Sequence, residues 1–154
     1  QNPKKPEPSA GEVIDFCRQL TARLHMDLAV EGKEENGILC INLTGLDRPF
    51  LLSNAASLLN SLEYLLNKMF RLGKDDVPGI LLDSDKYRQH REAELVLLAQ
   101  MASQKVLALR KPLSLQPMVP RERRIVHLAL AGIEGVRSQS NGEGDNRSIT
   151  IYPS

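Results

Sequence analysis

The chain contains no Trp, and three Tyr with three Phe hold the aromatics to 4% of 154 residues. That excludes a single-strand binding surface built as an aromatic stacking platform, of the kind an RRM or an OB-fold presents. Cysteine is as scarce. Cys17 and Cys40 are too few and too far apart for a disulfide framework or a zinc ribbon, and free, half-buried thiols are expected. No apolar run approaches the roughly 20 residues that cross a bilayer, so membrane insertion is not expected. No signal-peptide pattern follows Gln1, and a cytoplasmic location is expected. Neither a Gly-x-x-x-x-Gly-Lys-Ser/Thr phosphate loop nor a Gly-x-Ser-x-Gly nucleophile elbow occurs. Asp83, Asp85 and His90 are the grouping nearest to a metal set, but a strand end and a helix cap account for the two aspartates. No metal, no cofactor and no enzymatic activity are expected.

What is present is an ordinary core composition, 42% apolar and 25% charged, in a length that suits one average domain or two small ones. The net charge of +1 conceals an asymmetry. Residues 1–83 carry 9 Lys/Arg against 12 Asp/Glu, whereas residues 84–154 carry 11 against 7. A basic second half is a hint of a polyanionic partner.

The first ten residues, Pro-rich and charged, read as linker, which suggests a piece of something longer. Ser9 and Glu12 then fit a capping box, and Val13, Phe16, Cys17, Leu20 and Leu24 recur at helical spacing over 11–26. Residues 27–32 and 37–43 read as strands around an Asn36-Gly37 turn, with Leu39, Ile41 and Leu43 facing the core. A short helix at 50–53 is followed by a longer one to about residue 72, with Leu58, Leu62, Leu65 and Met69 on its inner face. A loop at 73–79 leads to a buried strand at 80–83. Ser84 or Asp85 can cap a helix over 86–110 that buries Leu95, Leu98, Ala102, Val106 and Leu109. A strand at 113–115, a helix opened by Pro120 and running to about Ala131, and a hairpin of 136–140 with 148–152 complete the order.

The most specific stretch runs from Tyr87 to Leu130. It joins Tyr87-Arg88 and Arg91, an Ala/Leu-rich helix, and then Leu115, Pro117, Met118, Pro120, Glu122, Arg123, Arg124, Ile125 and His127 at fixed spacings. Gly135-Val136 and the closing Ile149-Thr-Ile-Tyr-Pro153 extend it. This pattern resembles the Jag (SpoIIIJ-associated, KhpB) family and its Arg-x-x-x-His (R-3-H) domain, whose namesake pair Arg123 and His127 match. The resemblance implies single-stranded RNA binding, with single-stranded DNA as the other ligand class. It also implies a regulatory role in bacterial cell elongation and division, and a second KH protein as a partner. An adaptor role beside a membrane-protein insertase is the alternative.

Residues four apart share a helix face, so Arg123 and His127 can address one phosphate together. Arg121, Arg124, Arg88, Arg91, Lys105, Lys111 and Arg147 can extend that surface. A satisfied core histidine, with Arg123 paired to Glu122 or Asp85, is the competing reading of the same spacing.

The resemblance also implies a mixed α/β (α+β) fold: a type II KH-like domain over 11–83 followed by an R-3-H domain over 84–154. The Gly-x-x-Gly loop by which a KH domain approaches the backbone of its ligand falls on Ser53, Asn54, Ala55 and Ala56. Both glycines and any basic residue are missing there, so this half is expected to bind weakly or to act as a platform.

Overall fold

The computed structural model describes residues 8–70 and 79–154. Residues 1–7 of the opening linker and most of the 73–79 loop lie outside them, while Ala10, read as linker, already belongs to the first helix. Among the described residues the fold is mixed α/β, with four α-helices and two three-stranded sheets. The chain divides after Tyr87 into two compact units, each with its own core.

In the first unit α1 (Ala10–Arg23) starts at the capping box, Ser9 Oγ accepting from the Glu12 amide at 3.3 Å and Glu12 Oε2 from the Ser9 amide at 2.9 Å. It buries Val13, Cys17 and Thr21, one residue per turn. Burial pushes the Cys17 thiol up to about 11, while Cys40 is half-buried. β1 (Ala29–Glu35) and β2 (Ile38–Thr44) form an antiparallel hairpin, turned by Asn36 and Gly37 at φ 52° and 78°. Both values are positive, as a two-residue hairpin turn of this hand requires. β3 (Ile80–Asp83) lies parallel to β2 with Leu39 opposite Ile80. Leu39, Ile41 and Leu43 face the core as expected.

α2 (Arg48–Phe70) holds the two expected helices in one broken element and departs from expectation in the face that its second segment buries. Its backbone leaves the helix at residues 53–56, where Asn54, Ala55 and Ala56 all take left-handed φ values of 51°, 56° and 57°. In the second segment Leu59, Leu62 and Leu66 face the core, whereas Leu65 and Met69, expected inside, stand 41% and 50% exposed.

A second correction concerns the start of α3 (Tyr87–Leu109). Neither Ser84 nor Asp85 caps it as expected. The Ser84 hydroxyl donates to the Leu43 carbonyl at 2.6 Å and accepts from Arg48 Nε at 2.9 Å. The Asp85 carboxylate lies 3.8 Å from the same Arg48. Both side chains tie β3 to the neighbouring elements of the first unit instead.

In the second unit α3 buries Leu95, Ala99, Ala102, Ser103 and Val106. Leu98 and Leu109, expected in that stripe, are 41% and 58% exposed. β4 (Leu113–Ser114), β5 (Val136–Asn141) and β6 (Ser148–Pro153) form an antiparallel sheet in the order β4-β6-β5. α4 (Pro120–Ala131) opens on Pro120, whose missing N–H would be unpaired there in any residue. It turns Glu122, Val126 and Leu130 inward, and Val126 and Leu130 meet Met118, Ile149 and Ile151 in the core.

Candidate nucleic-acid interface

The flank of α4 beside its buried face carries Arg123 and His127, both half-buried. Each is held by one hydrogen bond. Arg123 Nη1 donates to the Met118 carbonyl at 2.7 Å, and His127 Nδ1 lies 2.7 Å from Ser138 Oγ on β5. The bond to Ser138 fixes the imidazole ring and leaves Nε2 for a ligand, with the tautomer set by the direction of the proton. Among the described residues Arg123 is not paired with Glu122, whose carboxylate takes Arg91 instead.

Arg147 joins this corner through the backbone. The Met118 amide donates to the Arg147 carbonyl at 3.1 Å, and Arg147 Nε donates to Ser140 Oγ at 2.8 Å. Ser138 and Ser140 are two apart on β5, so they share a face about 7 Å apart. One continuous set of contacts thus joins Arg123, Met118, Arg147 and Ser140, with His127 on the adjacent serine. A guanidinium offers five N–H donors, and each of these two arginines uses one. The remaining donors suit the oxygens of a phosphate.

The other sequence candidates fall elsewhere. Arg91 Nε donates to Glu122 Oε1 at 2.8 Å, and its Nη1 lies 3.2 Å from Glu94 Oε2. That makes it a clamp between α3 and α4. Glu122 is only 5% exposed, and its second oxygen is buried without a hydrogen-bond partner, so Arg91 is the charge that holds it inside. Arg121 is exposed but lies about 200° around α4 from Arg123, on the far flank. Arg124 faces solvent one turn before His127. Arg88 is half-buried in the first turn of α3. Lys111 precedes β4, where Leu113 stands opposite Ile151, and so lies toward the Val136–Pro153 end of the sheet, away from Arg147.

Sequence reasoning missed the groups that position the basic side chains: the Met118 carbonyl, Ser138 and Ser140. The alternation of Val136-Arg-Ser-Gln-Ser140 was a usable signal, since period two places both serines on the side of the sheet facing α4.

In the first unit, residues 53–56 keep a loop between two helical segments, with Asn60 Nδ2 donating to the Ala55 carbonyl at 3.3 Å. Among the described residues no three His, Cys, Asp or Glu side chains are placed to hold a metal, and no helix is long and apolar enough to cross a membrane.

The family model of the R-3-H domain matches residues 93–153. Over 150 residues the chain is 33% identical to the RNA-binding protein KhpB of Clostridium symbiosum, covering 96% of this chain and 68% of that protein. It is 30% identical over 151 residues to the RNA-binding protein KhpB of Bacillus subtilis, covering 91% and 72%. With the RNA-binding protein KhpB of Lactiplantibacillus plantarum it shares 26% identity over 145 residues, or 94% and 45% of the two chains.

Proposed function

The chain belongs to the KhpB family, and from that premise we propose that it binds single-stranded RNA through the corner formed by Arg123, His127 and Arg147. One observation carries the reading: three cation-capable side chains from α4 and the β5–β6 hairpin are each anchored by a single bond, with their remaining donors uncommitted among the described residues. Preorganised forks of this kind favour phosphate oxygens, and few aromatics are needed. Arg124 extends the surface on α4, with Arg121, Arg88 and Lys111 as outlying contributions to the field. The domain division we propose is a KH-like domain over 11–83 and an R-3-H domain over 84–154, the first serving as platform. The relatives are named for binding, and we read this chain as a binding protein acting in post-transcriptional regulation of elongation and division.

Fluorescence anisotropy with a short single-stranded RNA tests the site. Arg123→Ala should weaken binding most, by about 1.5–3 kcal/mol, the range for hydrogen bonds to charged groups. Arg147→Ala should weaken it too. If about three to five phosphates are neutralised, log affinity should fall against log salt with a slope near −2 to −3.5. Wild-type affinity in a folded Arg123→Ala protein, or an affinity indifferent to salt, would overturn the assignment. A strand of the same sequence in DNA measures the preference between the two sugars.

A second reading draws on the first unit. Tyr64, Leu65 and Met69 expose apolar surface on one segment of α2, which suits contact with a protein, such as a second KH protein or a membrane-insertion component.

A further inference from the structure

β5 is an edge strand of its sheet. Its odd and even residues therefore address the two sides of a free edge. Ser138 and Ser140 point to the side of α4, where they hold His127 and Arg147. Arg137 and Gln139 point the other way and are exposed. Opposite them on β6 stand Tyr152 and Thr150, and Ser114 of β4 stands opposite Thr150.

This outer face is built rather than merely left over. Asn141 Nδ2 donates to Thr150 Oγ1 at 3.0 Å and to the Tyr152 hydroxyl at 3.4 Å, and the Ser114 and Thr150 hydroxyls bond at 2.9 Å. The Arg137 guanidinium lies over the Tyr152 ring, 4.4 Å from its centroid. No Asp or Glu occurs anywhere on the three strands, and among the described residues no carboxylate pairs with Arg137. The guanidinium thus sits against the tyrosine ring while Arg137 remains exposed to solvent. Gln139, beside it, offers an amide with both donor and acceptor.

We propose that this face is a nucleobase subsite, in which a base of the bound single strand stacks on the Arg137 guanidinium and Gln139 hydrogen-bonds to its edge. An adjacent phosphate then lies across the free edge of β5, at Arg123, His127 and Arg147. A planar guanidinium is a stacking surface for a base, so the scarcity of aromatics does not forbid base contact here. Charge favours this occupant over a peptide strand added to the edge: the face is cationic and the ligand on its other side anionic. The inference rests on the phosphate site proposed above.

The test uses the full chain, Arg137→Lys and Arg137→Ala, against an intact RNA oligonucleotide and one of equal length made of abasic ribose-phosphate. Lysine keeps the charge and loses the plane. Wild type should prefer the intact strand. Arg137→Lys should lose about five- to tenfold on the intact strand, the scale of one base stack, with its salt slope and its abasic affinity unchanged. Arg137→Ala should lose at least as much on the intact strand. Wild-type affinity for both strands in Arg137→Lys, together with an unchanged Arg137→Ala, would remove the subsite. An equal loss on both strands would make Arg137 a phosphate contact and likewise remove it. Arg123→Ala, measured alongside, separates the failures: it reports on the phosphate site alone, whatever Arg137 does. Circular dichroism checks each variant's fold.

Discussion

Three consecutive residues without a glycine, Asn54, Ala55 and Ala56, hold left-handed backbone at the break in α2. Asparagine visits that region readily, but each alanine there costs roughly 1–2 kcal/mol of steric strain. Ala56 is fully buried, and its methyl group repays some of that in packing. Ala55 is only half-buried. Ala55→Gly should therefore stabilise the protein, by about 0.5–1 kcal/mol after the added flexibility of the unfolded chain is subtracted. Urea denaturation would show a higher midpoint at unchanged slope; a lower midpoint would mean that this backbone geometry is wrong. A break between two helices near this point was legible, since a short helix at 50–53 and a longer one after it read as separate. The sequence could not show that the backbone takes left-handed values there without a glycine. Residue type argues against that conformation, and tertiary packing of Ala56 and Leu59 overrides residue type.

At the level of elements, every α-helix and strand of the described residues lies within a few positions of where the sequence places it, yet faces were misassigned on two helices and the 3₁₀ turn at Gly144–Asn146 was read as loop. The cause in α2 is that leucines at 58, 59, 62, 65 and 66 offer two stripes at helical spacing, and packing selects the one through Leu59, Leu62 and Leu66. In α3 it is that apolar residues surround the helix, so Leu98 and Leu109 look as inward as Leu95 although they face solvent. Neighbouring leucines on α2 give a direct check. Leu66→Ala should cost about 2–5 kcal/mol, as for a fully buried leucine, and Leu65→Ala less than half as much. Equal losses on thermal or urea unfolding would contradict the phase. Capping was legible where a short reciprocal pattern encodes it, at Ser9 and Glu12. It was not legible at Ser84, because the competing partner, the Leu43 carbonyl, is 41 residues away in the chain.

Across the whole molecule, the charge difference between halves coincides with two units that have separate cores. A fragment of residues 84–154 should keep most of the affinity for single-stranded RNA, and residues 1–83 should bind poorly. Anisotropy on both fragments decides this, and tight binding by the first would move the site. Arg123 and His127 could be read from their spacing and from the family pattern around it. Arg147 was legible only as one basic residue among several, since what brings it to them is the backbone of Met118, whose carbonyl takes Arg123 and whose amide donates to the Arg147 carbonyl, and backbone groups leave no mark on composition.

The order of strands has a consequence for how the protein is made. β6 lies between β4 and β5 but follows both in the chain. During synthesis the two outer strands emerge with nothing to join them, and the Arg147 carbonyl is not yet present to hold Met118. The corner proposed to hold phosphate therefore closes only after β6 has emerged, and a growing chain should not capture RNA through it before then.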